Sequence, residues 1–239
     1  MKIITVASLK GGVGKTTLSL FLSQSLTGLG KVLLVDLDPN NNATDYLLPD
    51  VSLSELEKAN AFHVLTKKIP LKDCVQHGLF LDVLPATMSL MKAIYEMNQN
   101  PALQLGFRKE LEKANYDFVV IDTPPSLDPL FRVGLYTADL VLTPIAPSRW
   151  VFQAVSLLRN ELEKMSETID RQPELLAVQS MITEKESESM FSEMKEFVNM
   201  AKTSIIKQAV LKNAIESRKT IKPESRQAEI FYNLAKEVS

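Results

Sequence analysis

Cysteine occurs once in this chain of 239 residues, as Cys74, so no disulfide can form within it. A lone thiol fits a reducing, cytoplasmic compartment. It also argues against an iron–sulfur cluster shared between two copies, which needs two thiolates from each. Cys74 and His77 lie three apart, but two donors do not make a zinc site; a buried thiol and a surface imidazole are expected. No apolar stretch approaches the roughly 20 residues of a membrane span, and the N-terminus carries no signal-peptide pattern. The net charge of −2 excludes a whole-chain polycation. Glycine is scarce, with eight in all, yet three of them fall at positions 11, 12 and 14.

What is present is the ordinary material of a globular α/β domain. Hydrophobic residues make up 45% and charged residues 23%, enough to bury a sizeable core. Apolar runs at 2–7, 32–36, 79–84, 117–121, 139–144, 175–181 and 204–206 predict strands. They show little alternation, as strands covered on both faces should. Between them, helical patterns run over 15–28, 53–66, 87–97, 101–114, 129–136, 149–166, 186–200 and 226–238. This rhythm predicts one domain over 1–239, with a mostly parallel sheet flanked by helices on both faces. No linker, repeat or low-complexity tract divides it.

The glycines sit in Lys10-Gly11-Gly12-Val13-Gly14-Lys15-Thr16-Thr17, directly after the first strand and before the first helix. That is the strand–GxxxxGK[ST]–helix arrangement, with Ser8 or Lys10 standing for the first glycine. Small residues let backbone N–H groups turn inward around phosphate oxygens, and the helix aims its positive end at the same anion. Lys15 suits the β- and γ-phosphates, and the Thr16 hydroxyl suits Mg²⁺. Two further strands end in acids: Asp36 and Asp38 in "KVLLVDLDPN" and Asp122 in "YDFVVIDTPP". An acid at a strand end is the usual Mg²⁺ partner in such proteins, directly or through water.

KGGVGKTT (10–17), VDLDPNNNAT (35–44) and VIDTPPS (120–126) together resemble the ParA/Soj group of partition ATPases, which stand with MinD in the deviant Walker A class of P-loop proteins. The likeness continues through LDVLPAT (81–87) and PESRQAEIFYNLAKEV (223–238). The resemblance implies slow, Mg²⁺-dependent hydrolysis of ATP by an ATP-bound homodimer. Lys10 then reaches across to the partner's nucleotide as a cation supplied in trans. It also implies that Asp38 positions the attacking water, that Asp36 and Asp122 lie near Mg²⁺, and that Asn213, in "KNAIES", contacts the base. One departure is visible: Asn40 stands where the group has glutamine after Asp-Pro.

From 200 to 226 there are seven basic residues and two acidic ones, a local +5. Such a stretch can pair with phosphates without reading sequence. The resemblance turns it into a surface for non-specific double-stranded DNA, with Lys212, Arg218, Lys219 and Lys222 as contacts. It further implies a nucleoid-associated protein, a ParB-like partner that stimulates hydrolysis, and the short form without a helix-turn-helix domain.

A MinD-like membrane-cycling ATPase is the alternative; it needs a free amphipathic terminal helix, whereas "AEIFYNLAKEVS" reads as a packing helix. A ligase or small-molecule kinase sharing the loop, and a DNA-assembling protein without turnover, remain further readings. Trp150 is expected to pack at a helix start, and the methionines of 88–97 and 190–200 to face the core.

Overall fold

The computed structural model describes residues 1–148, 150–206 and 209–239. Its strands are β1 (Lys2–Val6), β2 (Val32–Asp36), β3 (Gln76–His77), β4 (Asp82–Leu84), β5 (Phe118–Asp122), β6 (Leu140–Ile145), β7 (Glu174–Ile182) and β8 (Ile205–Ile206). The α-helices are α1 (Lys15–Leu26), α2 (Asn42–Leu47), α3 (Leu53–Leu56), α4 (Ala61–Leu65), α5 (Leu90–Gln99), α6 (Phe107–Glu112), α7 (Pro129–Thr137), α8 (Val151–Ser166), α9 (Glu184–Met194), α10 (Ala209–Glu216) and α11 (Arg226–Val238).

The strands form one sheet in the order β3-β4-β2-β5-β1-β6-β7-β8. Among the described residues every pairing is parallel except the edge pair β3–β4. Successive residues of the central strands feed opposite cores, as the two-residue period requires. Ile4, Leu34 and Val120 join a cluster with Phe21 of α1, Tyr46 of α2 and Phe231 and Leu234 of α11. Ile3, Leu33, Val119 and Ile121 join another with Phe62 of α4, Ala93 and Met97 of α5, and Leu130 and Val133 of α7. Helices therefore cover both faces, which is why these strands read as unbroken apolar runs.

Local chemistry explains where the elements depart from the pattern. The helix expected over 53–66 is two short helices, because Asn60 ends one and starts the next. Its Nδ2 donates to the Leu56 carbonyl at 2.7 Å, and its Oδ1 accepts from Phe62 N at 3.0 Å. The pattern at 101–114 opens as a 3₁₀ turn behind Pro101, with α6 beginning after Gly106. The run 79–84 supplies only the short β4, preceded by the antiparallel β3. The last helix of the 186–200 pattern stops at Met194. Two helices, α2 and α10, have no counterpart in the sequence pattern as read.

Trp150 departs from expectation: it caps α8 with 61% of its surface exposed. The methionines divide. Met97, Met190 and Met194 are buried, whereas Met88 and Met91 face solvent. Cys74 is buried, and burial pushes its thiol up to about 11; His77 is exposed and hydrogen-bonds Asp82 at 3.0 Å.

Gly134 of α7 lies where helix meets sheet. Its carbonyl accepts the Thr5 hydroxyl at 2.8 Å. A β-carbon there would meet Thr123 Cγ2 at 2.7 Å and Thr5 Cγ2 at 3.1 Å, two β-branched side chains of the core. Gly134→Ala is expected to cost roughly 1–3 kcal/mol of stability through overpacking, read as a lower urea midpoint; an unchanged midpoint would show that the contact is slack.

Candidate functional site

The site is built at the C-terminal ends of β1, β2 and β5. The loop leaving β1 turns through two left-handed glycines, Gly12 at φ 74° and Gly14 at φ 87°. Gly14 is also pinned from outside, since a β-carbon would come within 3.0 Å of Ser180 Oγ and 3.3 Å of Met181 Cε. Around Gly11 and Gly12 there is open space. Among the described residues, the backbone N–H groups of Gly11 through Thr17 find no protein acceptor. A run of unpaired N–H groups closing onto a helix start is an anion-binding nest.

Lys15 opens α1 and is 8% exposed. Burial lowers the pKa of its ammonium, while Asp122 and Asp38 work in the opposite direction. Among the described residues no carboxylate lies within salt-bridge distance of it. It is a desolvated cation beside a nest of donors, a combination that suits a multiply charged anion.

Thr16 and Ser19, one turn apart on α1, both donate to Asp122: Thr16 Oγ1 to Oδ2 at 2.8 Å and Ser19 Oγ to Oδ1 at 2.9 Å. With its proton committed to Asp122, the Thr16 oxygen keeps its lone pairs for a cation. Parallel pairing of β2 with β5 sets Asp36 directly beside Asp122. Asp36 accepts from Thr44 N at 2.9 Å and Thr44 Oγ1 at 2.8 Å on one oxygen, and from Asp38 N at 3.0 Å on the other. Both carboxyls are fully buried, and their pKa values are raised chiefly by desolvation. Asp122 adds repulsion on Asp36, and Asp38 adds it on Asp122.

Asp38 is 8% exposed. Its Oδ1 accepts from Asn40 N at 2.9 Å and Asn40 Nδ2 at 3.0 Å, which fixes the carboxylate. Lys10 is half-buried at the outer end of the loop, its backbone N–H on Ser8 Oγ at 3.4 Å. No group of three acids, histidines or cysteines among the described residues is placed to cage a metal. The residues fit Mg²⁺ in another form: the Thr16 oxygen as one ligand, phosphate oxygens and water as the rest, and Asp36 and Asp122 as charge behind them.

The structure thus gathers Lys10, Gly11, Gly12, Val13, Gly14, Lys15, Thr16, Thr17, Asp36, Asp38 and Asp122 around one loop. It does not bring Asn213 to that loop. Asn213 is exposed on α10, lining a cavity of about 360 Å³ with Lys219 and Lys222, none of whose lining residues belongs to the loop. The Lys212 side chain lies outside the described residues. Arg218 is engaged with Asp45. A larger cavity, about 580 Å³ beside Lys31, Leu71 and Tyr116, also holds no residue of the loop; anion chemistry, not volume, marks the site. Ser19 and Thr44 escaped the sequence reading, and Asn40 entered it only as a departure. Ser19 was findable as a hydroxyl one turn after Thr16, whereas nothing in the sequence marks Thr44.

Because both buried carboxyls titrate higher when folded, these two groups hold more protons in the folded protein than in the unfolded chain from about pH 4 to neutrality. The stability that these two groups contribute therefore falls as pH rises through that window. Without metal or nucleotide, a loss on the order of 1–2 kcal/mol is expected from about pH 5 to about pH 8. Urea midpoints across that range check it, and a flat profile would contradict the buried pair.

Comparison with known proteins agrees with this geometry. A family model described as an AAA domain matches residues 1–178. The sporulation initiation inhibitor protein Soj of Bacillus subtilis is 32% identical over 253 aligned residues, covering 100% of this chain and 98% of that protein. The chromosome-partitioning ATPase Soj of Thermus thermophilus is 35% identical over 176 residues, covering 73% of this chain and 67% of that protein. A crystal structure of a putative plasmid partition protein from Borrelia burgdorferi, bound to AMPPNP, superposes with a TM-score of 0.85 at 23% identity, covering 99% of this chain and 97% of that one. Given the match through the loop and across the full length of Soj, the chain belongs to the AAA-domain family and, within it, to the ParA/Soj-type partition ATPases.

Proposed function

We propose that this partition ATPase works as an ATP-gated dimer on DNA. One observation carries the reading: a buried Lys15 beside a nest of N–H groups, both without a close partner among the described residues, with a second lysine, Lys10, at the loop's outer end. Lys15 and the N–H groups of Gly11 through Thr17 bind the phosphates of the chain's own nucleotide. Mg²⁺, on Thr16 Oγ1, would supply neutralisation of the β- and γ-phosphate charge. Asp38, oriented by Asn40, places the attacking water with its carboxylate. Lys10 completes the partner's site, so the transition-state charge is met only when two loaded copies join.

The Thermus relative, a chromosome-partitioning ATPase, and the AMPPNP bound in the Borrelia structure support ATP and partitioning as the frame. Within that frame, Arg218, Lys219, Lys222 and Lys212 form the surface for DNA phosphates. A ParB-like protein on the cargo triggers hydrolysis and release, and the ATP form resides on the nucleoid. Asn213 as a base contact remains part of the proposal. The membrane-cycling alternative lacks support: Phe231, Leu234, Ala235 and Val238, the apolar face of α11, are buried, with Phe231 against Phe21 at 5.5 Å. Among the described residues no helix is long and apolar enough to cross a membrane.

Lys10→Ala is expected to keep nucleotide binding, lose the dimer, and lower turnover by about a thousandfold. Size-exclusion chromatography with a slowly hydrolysed ATP analogue checks it, and an unchanged dimer removes the trans role. DNA binding measured with ATP, ADP and no nucleotide over a salt series is expected to give an ATP-only signal. Each phosphate contact should steepen its salt slope by about 0.9. Binding that ignores nucleotide or salt would overturn the DNA reading.

A further inference from the structure

Arg218 occupies a position that the backbone reserves for glycine. Helix α10 closes with the N–H of Arg218 on the Ile215 carbonyl at 3.1 Å and that of Lys219 on the Ala214 carbonyl at 2.9 Å. That paired closure puts Arg218 in the left-handed region, at φ 50°, where a β-carbon is unfavourable and glycine is usual. What the arginine adds is its side chain. Its Nη2 donates to both carboxylate oxygens of Asp45, at 2.8 and 2.7 Å. The Asp45 carboxylate offers that guanidinium two anionic oxygens, as a phosphodiester would. The side chains are 44% and 61% exposed, so a DNA phosphate can reach the same nitrogen.

Asp45 is not an isolated surface acid. It belongs to α2, and its neighbour Thr44 is the residue that grips Asp36 through both its N–H and its hydroxyl. On the other side, Tyr46 Oη donates to the Lys219 carbonyl at 2.6 Å. Three consecutive residues therefore run from a site carboxylate to the basic turn: Thr44 on Asp36, Asp45 on Arg218, Tyr46 on Lys219. The turn is anchored a second time by Gln24 of α1, whose amide exchanges hydrogen bonds with the Ile221 carbonyl at 3.1 Å and N–H at 3.3 Å.

We propose that Asp45 is an internal competitor for DNA phosphate: it holds Arg218 until a nucleotide-driven shift of α2, passed on through Asp36 and Thr44, withdraws it. This rests on the DNA reading above and adds to it the device that makes binding depend on nucleotide. An exposed ion pair is weak, which suits a contact that must be exchanged rather than broken at large cost.

The test is DNA binding by fluorescence anisotropy, with and without a slowly hydrolysed ATP analogue, for the wild type, Asp45→Asn, Asp45→Glu, Arg218→Ala and the Asp45→Asn/Arg218→Ala double variant. Without nucleotide, Asp45→Asn is expected to bind roughly fivefold tighter than wild type, the most that one exposed pair supplies, while Asp45→Glu stays close to wild type. With the analogue the gain should vanish, and in the Arg218→Ala background it should not appear in any state. Three results overturn the proposal: no gain without nucleotide, an equal gain with the analogue, or an equal gain without Arg218, which would be a general charge effect. If the wild type binds DNA with the analogue and Asp45→Asn brings no change, only the competitor fails. If the wild type binds no DNA in any state, the DNA reading fails with it.

Discussion

A parallel register places two carboxylates side by side in the dry interior, and the site is organised around that unfavourable fact. Asp36 and Asp122 end neighbouring strands at the same level. Neither can be solvated there, so each is surrounded by donors: Thr44 and the Asp38 N–H for one, Thr16 and Ser19 for the other. Those donors fix α1 and α2 relative to the sheet. The buried Lys15 lies near Asp122 and Asp38 and balances part of their charge. A hydroxyl whose proton is committed, and a lysine and a ring of N–H groups without close partners among the described residues, are the complement of a metal–triphosphate.

The two lysines of the loop separate by burial. Lys15 is enclosed and lies near Asp122 and Asp38, so its charge is committed to its own site. Lys10, five residues back across the glycine turn, stays half-exposed and in the proposed dimer serves a second molecule. The same division recurs at the far end of the chain. Tyr46 and Gln24 fix the backbone of the basic turn, while the Arg218 guanidinium is left at the surface. In both places a fixed backbone presents a cation that is free to exchange partners.

Most of the scaffold was legible because strands covered on both faces leave a continuous apolar signal, and the glycine loop and strand-end acids have fixed places relative to those strands. What escaped is governed by single side chains or by tertiary contact. Asn60 breaks a helix that periodicity alone would continue. The six-residue α2 is too short for a periodic signal; Thr44 on Asp36 ties its first turn down. Helix α10 carried a usable pattern in Val210, Leu211, Ala214 and Ile215, overlooked beside its charges. Trp150 was expected to pack at a helix start, yet it stands at the start of α8 with its side chain in solvent. Asn40, noticed only as a departure, proves to be the residue that orients Asp38. The pairing of Arg218 with Asp45 spans 173 positions, a separation that no local pattern encodes.

The strand that carries the phosphate loop lies in the middle of the sheet, and its neighbours are late in the chain. Residue 2 faces residue 118, and residue 4 faces residue 140. During synthesis at roughly 5–20 residues per second, β1 waits on the order of ten seconds for either edge. Ser180 and Met181, which lie beside Gly14, are made later still. A nascent chain with its opening motif fully translated therefore still lacks both strands that flank β1 and the residues that lie beside Gly14.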